Sequence, residues 1–134
     1  MRHLPIILLA ACAAPMQTLH VTNRSNRTIE QLYVFPTGST DRGASRGTLA
    51  PNASTDVRVR QGNVEVYAVS AKLQVDEHTR DRPSASQDLE IKGPAEVVFY
   101  DLGQAPPGLE RPGVFGIAFT LPKPKPAEPE PPQE

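Results

Sequence analysis

Apolar and polar residues alternate one by one along most of this chain, and that regularity constrains its fold more than any other feature. Leu19 and Val21 are interleaved with Thr18, His20 and Thr22, and Val57 and Val59 with Asp56, Arg58 and Arg60. Val64, Val66 and Ala68 alternate with Glu65 and Tyr67, and Phe115, Ile117 and Phe119 with Gly116 and Ala118. A period of two sends successive side chains to opposite faces of a strand, whereas a helix would repeat every 3.6 residues. Further β-rich runs are Ile29 to Phe35, Leu73 with Val75, and Leu89 with Ile91. Val97 to Tyr100 is apolar on both faces, the pattern of a strand in the middle of a sheet. These runs predict about 7–8 short strands.

Turn residues punctuate the runs. Asn23-Arg24-Ser25-Asn26 separates the first two, and Gln61-Gly62-Asn63 and Lys92-Gly93-Pro94 read as hairpin turns. Pro106-Pro107-Gly108 and Arg111-Pro112-Gly113 bracket a loop that has to run over the surface. Many short strands with Gly/Pro turns predict an all-β fold, an antiparallel β-sandwich or a small barrel, over residues 17–121. The 134 residues suffice for one such domain.

Charge is nearly balanced, with 14 basic and 15 acidic residues, so the chain has no electrostatic footprint for nucleic acid. Arg24, Arg27, Arg42, Arg46, Arg58 and Arg60 lean basic, but acidic residues interleave, which reads as a solvated mixed surface.

The first residues, MRHLPIILLAACAAP, combine a charged start at Arg2 with a short apolar run and small residues, the pattern of a secretory signal. The run is too short for a permanent span, which needs about 20 residues. Leu9-Ala10-Ala11-Cys12 resembles the lipobox of bacterial lipoproteins, and Cys12 is the sole cysteine of the chain. The resemblance implies a signal peptide over residues 1–11, a diacylglycerol on the Cys12 sulfur and a short linker over residues 12–16. Two acyl chains give stable anchoring where one would not. In that family an Asp after the cysteine retains the protein in the inner membrane. Ala13 therefore implies the outer membrane, with the body facing the periplasm. The alternative is cleavage after Ala13 or Ala14 and a soluble periplasmic protein. At the other end, residues 122–134 are Pro-rich, with Lys123 and Lys125 followed by Glu128, Glu130 and Glu134. Proline at alternate positions excludes helix and sheet ladders, and the segment reads as a disordered solubilising tail.

The stretch Leu32 to Pro51 runs from a strand into a loop of Gly, Ser, Thr, Asp and Arg. Pro36, Gly38, Ser39, Asp41, Arg42 and Gly43 form a candidate recognition loop. A phosphate loop is excluded: Gly38 and Gly43 have its spacing, but Ala44 stands where it needs Lys, and no helix follows. A calcium loop needs several carboxylates, and Asp41 is alone. In a purely connecting loop Pro36 ends the strand, the glycines supply the bends, and Ser39 and Asp41 cap local turns. Residues 21–51 resemble a small domain of uncharacterised bacterial envelope proteins. Asn23, Thr28 and Ile29 match its opening, Leu32, Tyr33, Pro36, Gly38 and Ser39 its centre, Asp41 and Gly43 the stretch that follows, and Leu49 and Pro51 its end. Arg42 stands where that pattern carries Trp, and Asn52 where it carries Gly. No activity comes with the resemblance, and the missing Trp removes the expected anchor of the loop.

Three Asn-x-Ser/Thr triplets, at Asn23, Asn26 and Asn52, read as turn residues beside a bacterial signal. Asp76-Glu77-His78 with Asp81 is the nearest approach to a metal cluster and reads as a solvated charge run; His20 lies on the polar side of a strand. With no nucleophile elbow, no paired histidines and no second cysteine, the sequence predicts a non-enzymatic, cofactor-free protein. The expected role is a lipid-anchored binding or scaffolding module for envelope partners. The alternative is a periplasmic protein that binds a small ligand or metal.

Overall fold

Strands form where the alternation is strongest. The computed structural model describes residues 15–74, 77 and 80–120. Among them are β1 (Met16–Asn23), β2 (Ile29–Pro36), β3 (Ser54–Arg60), β4 (Gly62–Ser70), β5 (Leu73–Gln74), β6 (Arg80–Asp81), β7 (Ser84–Ile91), β8 (Ala95–Asp101) and β9 (Val114–Phe119). One sheet has the order β3-β1-β8-β9 and a second the order β2-β4-β7, while β5 and β6 form a two-residue ladder of their own. The inward side chains of the two larger sheets, among them Leu19, Val21, Leu32, Val66, Val97 and Phe99, make one buried core. Phe99 and Phe119 are both fully buried, with ring centroids 5.6 Å apart. Burial of each such side chain is worth about 1.5–3 kcal/mol. The all-β, sandwich-like fold is as the alternation predicts, with β5–β6 raising the strand number to nine.

Two details differ from the expectation. The first sheet is mixed: β1 and β3 are antiparallel, but β8 lies parallel to both β1 and β9. A parallel pair needs a crossover, and residues 102–113 supply it by passing over the outer face of the sheet. Leu109 and Tyr100 meet above Gly116, where an added Cβ would lie 3.0 Å from each. Beside them Val98, opposite Gly116 in the register, is buried although it points away from the core. That explains the strand with two apolar faces. The second difference concerns the expected hairpins at residues 61–63 and 92–94. Each joins strands of different sheets, so each is a corner of the sandwich and not a hairpin. Gly62, at φ 133°, gives the backbone its bend at the first corner.

Because β1, β8 and β9 run the same way, their last residues gather at one end of the sheet. The corner from β1 to β2 closes over that end. Asn23 is fully buried, and so are Ser25 and Arg27, while Arg24 and Asn26 face water. Arg27 is therefore not part of the solvated mixed surface expected of it. Its Nε and Nη2 lie 3.0 and 2.8 Å from Asp101 Oδ1, at the end of β8. Asp101 Oδ2 accepts the backbone N–H of Asn26 at 2.9 Å. The guanidinium carbon sits 5.0 Å from the centroid of the Phe119 ring.

Candidate functional site

β2 lies at the edge of its sheet, and an open edge invites pairing with other chains. Residues 37–49 turn back along that edge. Ser39 N–H donates to Pro36 O at 3.0 Å, closing a turn in which Gly38 takes φ 85°. Asp41 N–H donates to Ser39 Oγ at 3.3 Å, and Asp41 Oδ1 accepts Gly43 N–H at 2.9 Å. These are the local side-chain caps the loop's Ser and Asp favour. Ser45 Oγ then accepts Leu32 N–H at 3.2 Å, and Arg46 N–H donates to Leu32 O at 2.6 Å. Ile29 and Leu49 exchange both backbone hydrogen bonds at 2.8 Å. The loop thus occupies backbone groups of β2 that would otherwise face solvent.

Pro36, Gly38, Ser39, Asp41, Arg42 and Gly43 are all exposed. Arg42 is the one that leaves the loop and crosses the sheet, with its guanidinium carbon 4.4 Å from the centroid of Tyr67. Tyr67 is paired in register with Tyr33 on one side and Ser86 on the other. The two tyrosine rings are 6.1 Å apart and tilted by 39°. The row Tyr33–Tyr67–Ser86 crosses the outer face of the second sheet, next to the row Phe35–Glu65–Asp88. Guanidinium on an aromatic face is worth about 0.5–1 kcal/mol at an exposed site. Arg42 therefore anchors the loop to the outer face of the sheet. Chemically the site is a planar cation held on the Tyr67 ring, which Tyr33 flanks, beside a carboxylate-bearing row. It suits contact with a polar or anionic surface.

The other sequence candidates do not converge on it. His20 pairs across β1 and β3 with Asp56, Nδ1 to Oδ1 at 2.6 Å, on the outer face of the other sheet. Glu77 and Asp81 are exposed, and Asp81 Oδ1 accepts the N–H of Arg82. The Arg82 side chain in turn pairs with Glu30. Asp76 and His78 lie outside the described residues, as do Cys12 with the signal and linker, and the Pro-rich tail. Among the described residues no group of three or more His, Cys, Asp or Glu could hold a metal ion, and no helix is long and apolar enough to cross a membrane.

Asn52, which replaces the Gly of the resembling pattern, has φ 67°. Only Gly and, at modest cost, Asn or Asp adopt that left-handed region routinely. Asn52→Gly is expected to leave thermal stability within about 0.5 kcal/mol, whereas Asn52→Ala costs about 1–2 kcal/mol. Melting curves of the two variants check this, and an unaffected Asn52→Ala protein would contradict it.

No family model matches the chain, and no curated protein or solved structure matches it either.

Proposed function

We propose that this chain is a lipid-anchored, non-enzymatic protein of the cell envelope whose β-sandwich binds or scaffolds other envelope components. The reading is carried by one coincidence. The sole cysteine of the chain falls on the last position of Leu9-Ala10-Ala11-Cys12, and the first strand begins at Met16, a few residues later. Acyl chains on Cys12 would hold the sandwich close to a membrane at the end where β1 starts. The exposed face is supported by a loop whose Ser39 and Asp41 are engaged in its own turns and whose Arg42 rests on Tyr67. That arrangement offers a fixed surface for contact more readily than a set of free reactive groups. Ala13 after the cysteine favours the outer membrane, facing the periplasm.

The intact mass of the mature protein from a membrane fraction tests the anchor. The expected result is a chain that begins at Cys12 and carries acyl chains, with the Cys12→Ser variant unprocessed or released from the membrane. An unmodified chain beginning near Ala14 would overturn the anchor and leave a free periplasmic protein.

A further inference from the structure

Where β1 starts, the two sheets part between the edges of β2 and β3 and leave an open cleft of about 240 Å³. Its floor is apolar, formed by the core side chains Val34, Val59 and Val64, with Phe35 also lining it. Met16 stands on its rim, 44% exposed, and is one of two large hydrophobic side chains that the described residues leave in water. Arg46 from the loop and Arg58 and Arg60 from β3 also line the cleft. All three are exposed, and among the described residues none of them takes part in an ion pair or a side-chain hydrogen bond. The nearest carboxylate on the same strand, Asp56, is engaged by His20. An apolar cleft lined by three arginines that have no ion-pair partner among the described residues complements an amphiphile with an anionic head.

We propose that this cleft seats an anionic phospholipid of the membrane that the protein is tethered to, with the phosphate between the arginines and the first part of an acyl chain against Val59 and Val64. The choice of partner rests on the lipid-anchored reading above. Met16 lies four positions after Cys12, a reach of at most about 14 Å. The cleft therefore belongs to the part of the body that a lipid on Cys12 would bring nearest to the bilayer. Arginine also suits the task, since its planar fork binds phosphate through two parallel hydrogen bonds. Basic groups next to an anionic surface strengthen attachment independently of an acyl chain, by about fivefold for each arginine. The cleft would orient the sandwich with its β2–β3 seam towards the lipid and its opposite end towards the periplasm.

The test uses the mature chain with Cys12→Ser as its first residue, which carries neither an acyl chain nor the apolar signal run, sedimented with vesicles. Binding is expected to phosphatidylcholine vesicles containing phosphatidylglycerol, and not to phosphatidylcholine alone. The combined variant R46Q, R58Q, R60Q is expected to bind the anionic vesicles on the order of 100-fold more weakly. The charge-matched variant R24Q, K72Q, R80Q, whose positions lie towards the opposite end, should stay close to the parent. The melting temperature of each variant shows whether it is folded, and if the triple variant is not, R58Q alone should bind about fivefold more weakly. Three outcomes would overturn the proposal: no binding to anionic vesicles, equal binding to both kinds, or equal losses in the two triple variants. A melting temperature raised by millimolar glycerol phosphate but not by a short-chain phosphatidylglycerol would assign the cleft to a soluble anion and overturn the lipid as its occupant. The two readings fail separately. Acylated Cys12 without vesicle binding removes only the cleft, and vesicle binding by a protein that is never acylated removes only the anchor.

Discussion

Replacing Arg27 by alanine is expected to lower the melting temperature by about 10–20 °C, the largest effect of any single surface-type residue in this chain. Arg27 is 6% exposed and Asp101 8%. Removing the guanidinium leaves a buried carboxylate whose one remaining partner among the described residues is the backbone N–H of Asn26. Stranding one member of a buried pair costs about 3–5 kcal/mol, because the charge that is left has neither water nor counterion. The pair itself contributes much less, since desolvation of both ions offsets most of their attraction. A second expectation follows from that asymmetry. Arg27→Met combined with Asp101→Leu should be less destabilised than Arg27→Ala alone, with Asn26 N–H left unpaired as the main residual loss. Chemical denaturation of the singles and the double, treated as a mutant cycle, measures the coupling. A fall of only a few degrees for Arg27→Ala would mean that water reaches Asp101, and the buried-pair account would be wrong.

Arg27 also marks the limit of what this sequence makes legible. Arginine is seldom fully buried, and Asp101 is 74 residues away, so nothing local separates Arg27 from its exposed neighbours Arg24 and Arg42. The strands themselves were readable. Val57 with Val59, and Val64 with Val66 and Ala68, point to the core as their alternation implies. Strand direction was not, because a period of two is the same read either way. Only the crossover of residues 102–113, over Val98 and Gly116, makes β8 and β9 parallel. Turn chemistry at Gly62 and Gly93 shows where the chain bends and leaves open which sheet it enters next. The same division holds for the loop. The caps at Ser39 and Asp41 involve near neighbours and follow from residue type. The seat of Arg42 on Tyr67 depends on which strands lie side by side, and the Arg46–Arg58–Arg60 cleft on how the two sheets part.

Asn23→Asp is the second substitution expected to have a large effect, and its pH dependence makes it diagnostic. Asn23 is fully buried. Its Nδ2 donates to Arg27 O at 2.7 Å and to Leu49 O at 3.1 Å, while Oδ1 accepts Ser25 N–H at 3.0 Å and Ser25 O–H at 2.6 Å. One side chain thus ties the end of β1 to the corner and to the segment that leads into β3. The substitution keeps the shape and both bonds at Oδ1, but it points a second oxygen at two carbonyls. As an acid, that oxygen supplies one proton where two donors stood; as an anion, it faces the carbonyls with no donor at all. Burial and the carbonyls both favour the acid form, so the introduced carboxyl titrates in the folded state above its ordinary value of about 3.9. A carboxyl with a raised folded value binds more protons folded than unfolded, and stability therefore falls as pH rises through that range. At pH 3 the variant should lose only about 1–2 kcal/mol, for one unmade hydrogen bond. By pH 7 the deficit should reach about 3–5 kcal/mol. Asn23→Ala, which removes the amide donor from both carbonyls and the acceptor from Ser25 N–H without adding a charge, should lose about the same amount at both pH values relative to the parent. Urea denaturation of the three proteins at pH 3 and pH 7 separates the cases. A deficit of Asn23→Asp that does not grow with pH would show that the amide of Asn23 is not the donor to Arg27 and Leu49 on which the corner depends.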